Sequence, residues 1–110
     1  MAAENLRFQE KRNFKRVSAN LALRFLNLDA NKWRLARTTD ISAKGVSLIT
    51  REEILPQTSL DMWLHLPNEG DPLYARGEVV WSRPIDADKY KLGVRVDTGD
   101  FVGLSRIISP

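Results

Sequence analysis

Large apolar residues recur at every second position through most of this chain. Leu21, Leu23 and Phe25 alternate with Ala22, Arg24 and Leu26, the two-residue period of a strand with one face against a core. The run ends near Leu28 at the compact turn Asp29-Ala30-Asn31. Trp33, Leu35 and Arg37 then alternate with Arg34, Ala36 and Thr38 on a return strand reaching about Asp40. Val46, Leu48 and Ile49 form a third short strand, and Arg51 to Thr58, with Pro56, is a loop. Alternation is strictest where Leu60, Met62, Leu64 and Leu66 interleave with Asp61, Trp63 and His65. Pro67-Asn68-Glu69-Gly70-Asp71-Pro72 is a turn by composition. Tyr74 to Arg83 and Tyr90 to Val96 are the last two strands, connected through Pro84 to Lys89. Thr98 and Asp100 are candidate N-caps for a short helix whose apolar face is Phe101, Val102, Leu104, Ile107 and Ile108. Short strands joined by tight turns predict an all-β fold: a six-stranded antiparallel β-barrel with a short C-terminal α-helix. Trp33, Trp63 and Trp81 are expected to pack in the core or against the sheet.

The first hairpin has a long-range consequence. A three-residue loop between Leu28 and Lys32 sets Asp40 opposite Asn20 and brings Ser42 to Gly45 beside the level of Arg16. Before that hairpin the chain shows little periodicity as far as Phe14. Residues 1–10 are read as a flexible arm and 11–110 as the barrel domain. Between Arg7 and Arg16 the chain carries Arg7, Lys11, Arg12, Lys15 and Arg16 against one acid, Glu10, so an anionic partner is favoured there.

Composition removes several classes of function. A chain of 110 residues supports one modest core. It has no cysteine and one histidine, His65, so thiol catalysis, thiolate metal sites and histidine clusters are excluded. No apolar run approaches the ~18 residues of a membrane span. Neither membrane insertion nor a signal sequence is expected, and a reducing cytoplasm is compatible with the absence of cysteine.

The chemistry concentrates at Asp40-Ile41-Ser42-Ala43-Lys44-Gly45, between two strands. Asp40 supplies carboxylate acceptors, Ser42 a hydroxyl, and Gly45 a backbone able to take positive φ or to admit a ligand. Roughly 0.05 chance matches to an acid-or-amide, serine and glycine at this spacing are expected in a chain of this composition. By contrast, about one Arg-x-x-x-Arg pair like Arg12 and Arg16 is expected by chance, so that pair alone carries no information. Ser42 has no histidine beside it and no nucleophile elbow around it, so the loop is read as a grip and an enzyme is not expected.

Arg12-Asn13-Phe14-Lys15-Arg16 followed by Asp40-Ile41-Ser42-Ala43-Lys44-Gly45 resembles the two-part signature of the PilZ domain family, bacterial cytoplasmic receptors for cyclic di-GMP built on a six-stranded barrel. Gly77-Glu78-Val79-Val80-Trp81 and Tyr90-Lys91-Leu92-Gly93-Val94 resemble its later strands, and the likeness runs from about Lys11 to the end. The resemblance implies that Arg12 and Arg16 contact guanine and phosphate, and that Asp40 and Ser42 contact mainly the base. A guanidinium forks onto guanine O6 and N7 or onto phosphate, and a carboxylate accepts from N1–H and N2–H₂ together. Gly45 would permit the loop geometry, with Lys11, Lys15 and Trp81 as additional contacts. Lys11 precedes the first arginine, a position that in this family can influence how many ligand molecules bind. Gly93 fits as a strand glycine required for backbone geometry rather than contact.

The implied function is a non-enzymatic receptor without cofactors, in which the basic arm wraps cyclic di-GMP and the altered surface signals through a protein effector. Two alternatives belong to other classes. One is a ligand-independent protein–protein adaptor, although such family members typically lack a motif half and this chain has both. The other is a small basic barrel for single-stranded nucleic acid, for which a carboxylate at position 40 is unfavourable; nucleic acid is therefore not the expected partner.

Overall fold

The computed structural model describes residues 16–42, 44–67 and 70–99. Among these, seven antiparallel strands follow in order: β1 (Val17–Ser18), β2 (Ala22–Asn27), β3 (Lys32–Ile41), β4 (Gly45–Thr50), β5 (Ser59–Leu64), β6 (Leu73–Asp86) and β7 (Lys89–Gly99). β3 lies beside β2, then come β5, β6, β7 and β4, and β4 pairs back onto β3 to close a six-stranded barrel. β1 is an extra strand, laid along the end of β3 that β2 does not reach.

The alternating apolar positions fill the interior. Leu23 and Phe25 of β2, Leu48 of β4, Leu60, Met62 and Leu64 of β5, Val79 of β6 and Leu92 of β7 are all fully buried. Each such side chain contributes about 1.5–3 kcal/mol relative to exposure, so strand parity is strongly enforced. Trp33 and Trp63 stand out of phase with these residues, and the extra residue Val80 turns Trp81 outward although it is two positions from buried Val79. None joins the core; Trp33 is 49% and Trp81 38% exposed, and Trp63 is half-buried. They pack on the outside of the sheet, which corrects the core part of the expectation.

Two features reset the first hairpin. Asn27 turns its side-chain oxygen back to accept from the N–H groups of Asp29 (3.0 Å) and Ala30 (3.1 Å), and Asn31 adopts a left-handed φ of 55°. Pairing begins at Asn27↔Lys32, so the loop has one residue more than expected. An extra residue then enters between β1 and β2. The Thr38 hydroxyl fills the resulting gap, accepting from Leu21 N–H at 2.9 Å and donating to the Ala19 carbonyl. Asp40 consequently lies opposite Ser18 rather than Asn20.

The last hairpin also differs from expectation. β6 runs through Pro84 to Asp86, and only Ala87 and Asp88 connect it to β7, with Asp88 at φ 59°. Proline is tolerated because β5 pairs only with the first part of β6, leaving the later residues at a sheet edge. β7 extends to Gly99, so Thr98 is a strand residue and not a helix cap. The helix expected over 101–108 lies outside the described residues.

A polar cluster braces the outer face where β5 meets β6. Asp61, 8% exposed, accepts from Tyr74 Oη (2.6 Å) and in bidentate fashion from Arg76 Nε (2.7 Å) and Nη2 (3.1 Å). The Arg76 hydrogen bonds lower the Asp61 pKa, outweighing the opposing effect of burial. A carboxylate with a depressed folded pKa stabilises the protein most fully above its ordinary value, here 3.8, and that stability is lost as pH falls through the folded value. Asp61→Asn is therefore expected to cost about 1–3 kcal/mol at neutral pH in urea unfolding. The loss should shrink progressively in titrations carried below the ordinary value. An undiminished loss in strong acid would contradict the assignment.

Candidate ligand-binding site

Barrel closure collects the candidate residues on one outer surface. Ile41, Val46, Leu48, Leu92 and Val94 point into the core, so their strand neighbours Asp40, Ser47 and Gly93 point outward. Pairing then sets these in a transverse row: Ser18 opposite Asp40, Asp40 opposite Ser47, Ser47 opposite Gly93, and Gly93 opposite Trp81. From β3 to β6 the row crosses three strand spacings, about 14 Å. Arg16 donates to Asp40 at one end, joining residues 24 positions apart.

Trp81 closes the other end. A Cβ added to Gly93 would lie 2.2 Å from the indole nitrogen and 2.3 Å from an adjacent ring carbon. Gly93 is thus required by contact, because the indole lies directly on its backbone; this corrects the expectation of a purely backbone role. An extra residue, Val80, shifts the register between Val79 and Trp81 and brings the indole opposite Gly93. The Arg83 guanidinium stands 5.3 Å from the centre of the same ring, a cation–π contact.

Ser42 and Gly45 hold the loop together. The buried Ser42 hydroxyl accepts from Lys44 N–H (3.3 Å) and Gly45 N–H (3.2 Å), and its own N–H donates to the Gly45 carbonyl at 2.8 Å. Gly45 is the first residue of β4, and its φ lies outside the left-handed region. It accommodates a close approach, since a Cβ there would meet the Val94 carbonyl oxygen at 2.9 Å. Arg16, Asp40, Ser42, Gly45 and Trp81 are thus placed on or beside one surface, whereas Lys11, Arg12 and Lys15 lie outside the described residues. Among the described residues no cluster of His, Cys, Asp or Glu is arranged to hold a metal, and no helix is long and apolar enough to cross a membrane.

Two residues of this surface, Ser47 and Arg83, are marked by no motif in the sequence, and Gly93 is marked only as a strand glycine. Ser47 and Gly93 form its floor, and Arg83 sits on Trp81; their association depends on the bulge at Val80. The small outward residues alternating with Val46, Leu48, Leu92 and Val94 are the only local hint.

Residues 10–108 match the PilZ domain. The chain belongs to the PilZ domain family. PilZ domains act as receptors and adaptors rather than enzymes. Among solved structures, the inhibitor of motility MotI/DgrA of Bacillus subtilis is similar, with TM-score 0.69 and 17% identity over 88% of this chain. The chain spans 47% of the length of that protein. The PilZ domain of YcgR from Escherichia coli, solved with c-di-GMP, has TM-score 0.59 and 15% identity, covering 77% of this chain and 76% of its own. The PilZ domain of CeSA from a cellulose-synthesizing bacterium has TM-score 0.58 and 15% identity, covering 84% of this chain and 91% of its own. At such identities these likenesses establish the shared barrel. No curated protein sequence matches the chain.

The Trp81–Gly93 contact predicts a coupled pair. Gly93→Val should displace the indole, shift tryptophan emission to longer wavelength and destabilise the fold by about 1–3 kcal/mol. In a Trp81→Ala background the same substitution should cost much less, giving a non-additive double-mutant cycle. Equal costs in the two backgrounds would contradict the packing role.

Proposed function

We propose that this PilZ protein is a cytoplasmic, non-catalytic receptor for cyclic di-GMP that signals through a partner protein. The observation that carries this reading is the row from Asp40 across Ser47 and Gly93 to Trp81. It offers a carboxylate at one end, an indole lying over Gly93 at the other, and the small residue Ser47 between. The carboxylate suits the guanine edge that presents two donors, the indole suits stacking on a base, and Arg83 adds a cation for phosphate or base. Membership in the PilZ family and the fold shared with the YcgR domain support the choice of ligand.

Arg16 explains how the site begins to engage. Its side chain is 60% exposed and that of Asp40 24%, so the pair between them is a surface salt bridge worth about 0–1 kcal/mol. A ligand can replace so weak a contact, with guanine donors taking the carboxylate and Arg16 released to guanine or phosphate. Arg12, Lys11 and Lys15 join from the same basic segment in this scheme. Because its hydroxyl is engaged inside the loop, Ser42 acts here chiefly by fixing the approach of Asp40. Reorganisation of the basic segment around the ligand then changes the surface offered to an effector.

Calorimetric titration with cyclic di-GMP tests the receptor reading, with linear GpG and GTP as controls. Saturable binding selective for the cyclic dinucleotide is expected. Asp40→Ala and Arg16→Ala should each weaken it about tenfold or more, since each removes a charged hydrogen-bond partner. No binding by a protein whose circular dichroism shows an intact barrel would overturn the proposal.

A further inference from the structure

The first half of β3 carries a second surface, separate from the Asp40 row. Leu35 is 77% exposed, the largest exposure of any large apolar residue described, and Trp33 beside it is 49% exposed. Leu35 pairs with Arg24 on β2 and Trp33 with Leu26, so both side chains stand on the outer face. They line a groove that also contains Arg24, Arg37, Arg51 and Lys89. Arg34 is a further cation there, and the only acid of the lining, Glu52, is held by Arg34 Nε at 3.0 and 3.1 Å. Five cations against one acid leave four positive charges in the groove of a chain whose net charge is +3. Positive potential is focused here around an exposed apolar centre.

We infer that this groove docks an acidic protein segment bearing bulky aliphatic side chains, and that it is the effector-binding surface of the receptor. The inference rests on the partner-mediated signalling proposed above and supplies the location and chemistry of the partner. Charge complementarity sets the sign of the partner, and the guanidinium forks of the groove match carboxylates. Leu35 sets its apolar character. Strand addition is disfavoured, because the outer edge of β3 is already capped: the Trp33 carbonyl accepts from Arg34 Nη1 at 3.0 Å and the Leu35 carbonyl from Thr50 Oγ1 at 3.2 Å. Docking therefore proceeds through side chains, as when an amphipathic helix lays its apolar face in a groove.

The aromatic residues argue for protein over nucleic acid. Trp33 and Trp63 pack against each other with centroids 5.0 Å apart, and Trp63 packs on Tyr74 at 5.3 Å. The Arg24 guanidinium covers both indoles, at 4.8 and 5.6 Å. Successive open rings, which single strands require for base stacking, are absent from this ladder. The groove also communicates with the ligand row through β3 itself, since Arg37 and Thr39 line the groove and Asp40 follows directly.

The test is fluorescence anisotropy with a labelled glutamate-rich peptide carrying leucines at i, i+3, i+4 and i+7. Its comparators are the same peptide with serine for leucine, the same with lysine for glutamate, and an oligothymidine. The acidic leucine peptide should bind, weaken as salt rises, and lose about tenfold or more in affinity with Leu35→Asp. Arg24→Glu should reduce binding likewise, and both variants should keep the melting temperature and cyclic di-GMP response of the unaltered protein. Binding unaffected by Leu35→Asp, equal binding of the serine or lysine peptide, preference for the oligothymidine, or no binding would each overturn the inference. Parallel cyclic di-GMP titrations separate the two proposals, because failure at the ligand row leaves the peptide result standing and the converse also holds.

Discussion

Closure of the barrel through β3 and β4 is the constraint on which the remaining structure depends. An open sheet would leave Asp40 on an edge strand, remote from β6. Once β4 bridges β3 and β7, the core requirement for Ile41, Val46, Leu48, Leu92 and Val94 fixes parity on three consecutive strands. Asp40, Ser47 and Gly93 are then forced outward in register, and one inserted residue at Val80 brings Trp81 into the same row. The surface is a by-product of core packing. A rigid sheet, rather than a loop, thereby positions most of it.

Two ion pairs on this scaffold show how different environments suit different roles. Asp61 is nearly buried and held by three hydrogen bonds from Tyr74 and Arg76, so its removal leaves donors without their acceptor and loosens the β5–β6 face. Asp40 is more open and meets one exposed arginine. The first arrangement resists exchange and belongs to stability. The second is weak enough to be replaced by a ligand, which suits a receptor that must be empty in one state and occupied in the other.

Most of the fold was legible because alternation alone predicts strands, and six of the seven found here were expected. The misplacements have specific causes. Pro84 looked like a turn residue, yet it occupies an edge where its missing N–H costs nothing. The Asn27 turn and the Thr38-filled bulge each added one residue, moving Asp40 from Asn20 to Ser18 without changing its meeting with Arg16. The tryptophans looked like core because of their size; the phase of Trp33 and Trp63 within their alternating runs already placed them outside, whereas Trp81 shares the phase of buried Val79 and is turned outward only by the extra residue Val80. At the candidate site, Asp40, Ser42 and Gly45 stood out through local spacing. Ser47 and Arg83 did not, because the place of Ser47 is set by pairing with a strand more than thirty positions away and that of Arg83 by the register shift at Val80. The role of Gly93 depended on the same hidden register.

The central claim is that the ligand occupies the row from Asp40 to Trp81. Titration of uniformly nitrogen-15-labelled protein with cyclic di-GMP, followed by amide and indole N–H resonances, tests it most directly. The account predicts that the amides of Asp40, Ser47 and Gly93 and the indole of Trp81 shift together and saturate with one another, while the indoles of Trp33 and Trp63 stay fixed. Saturable shifts centred on Trp33 and Trp63, with Gly93 and the Trp81 indole unmoved, would place the ligand on the other surface and contradict it.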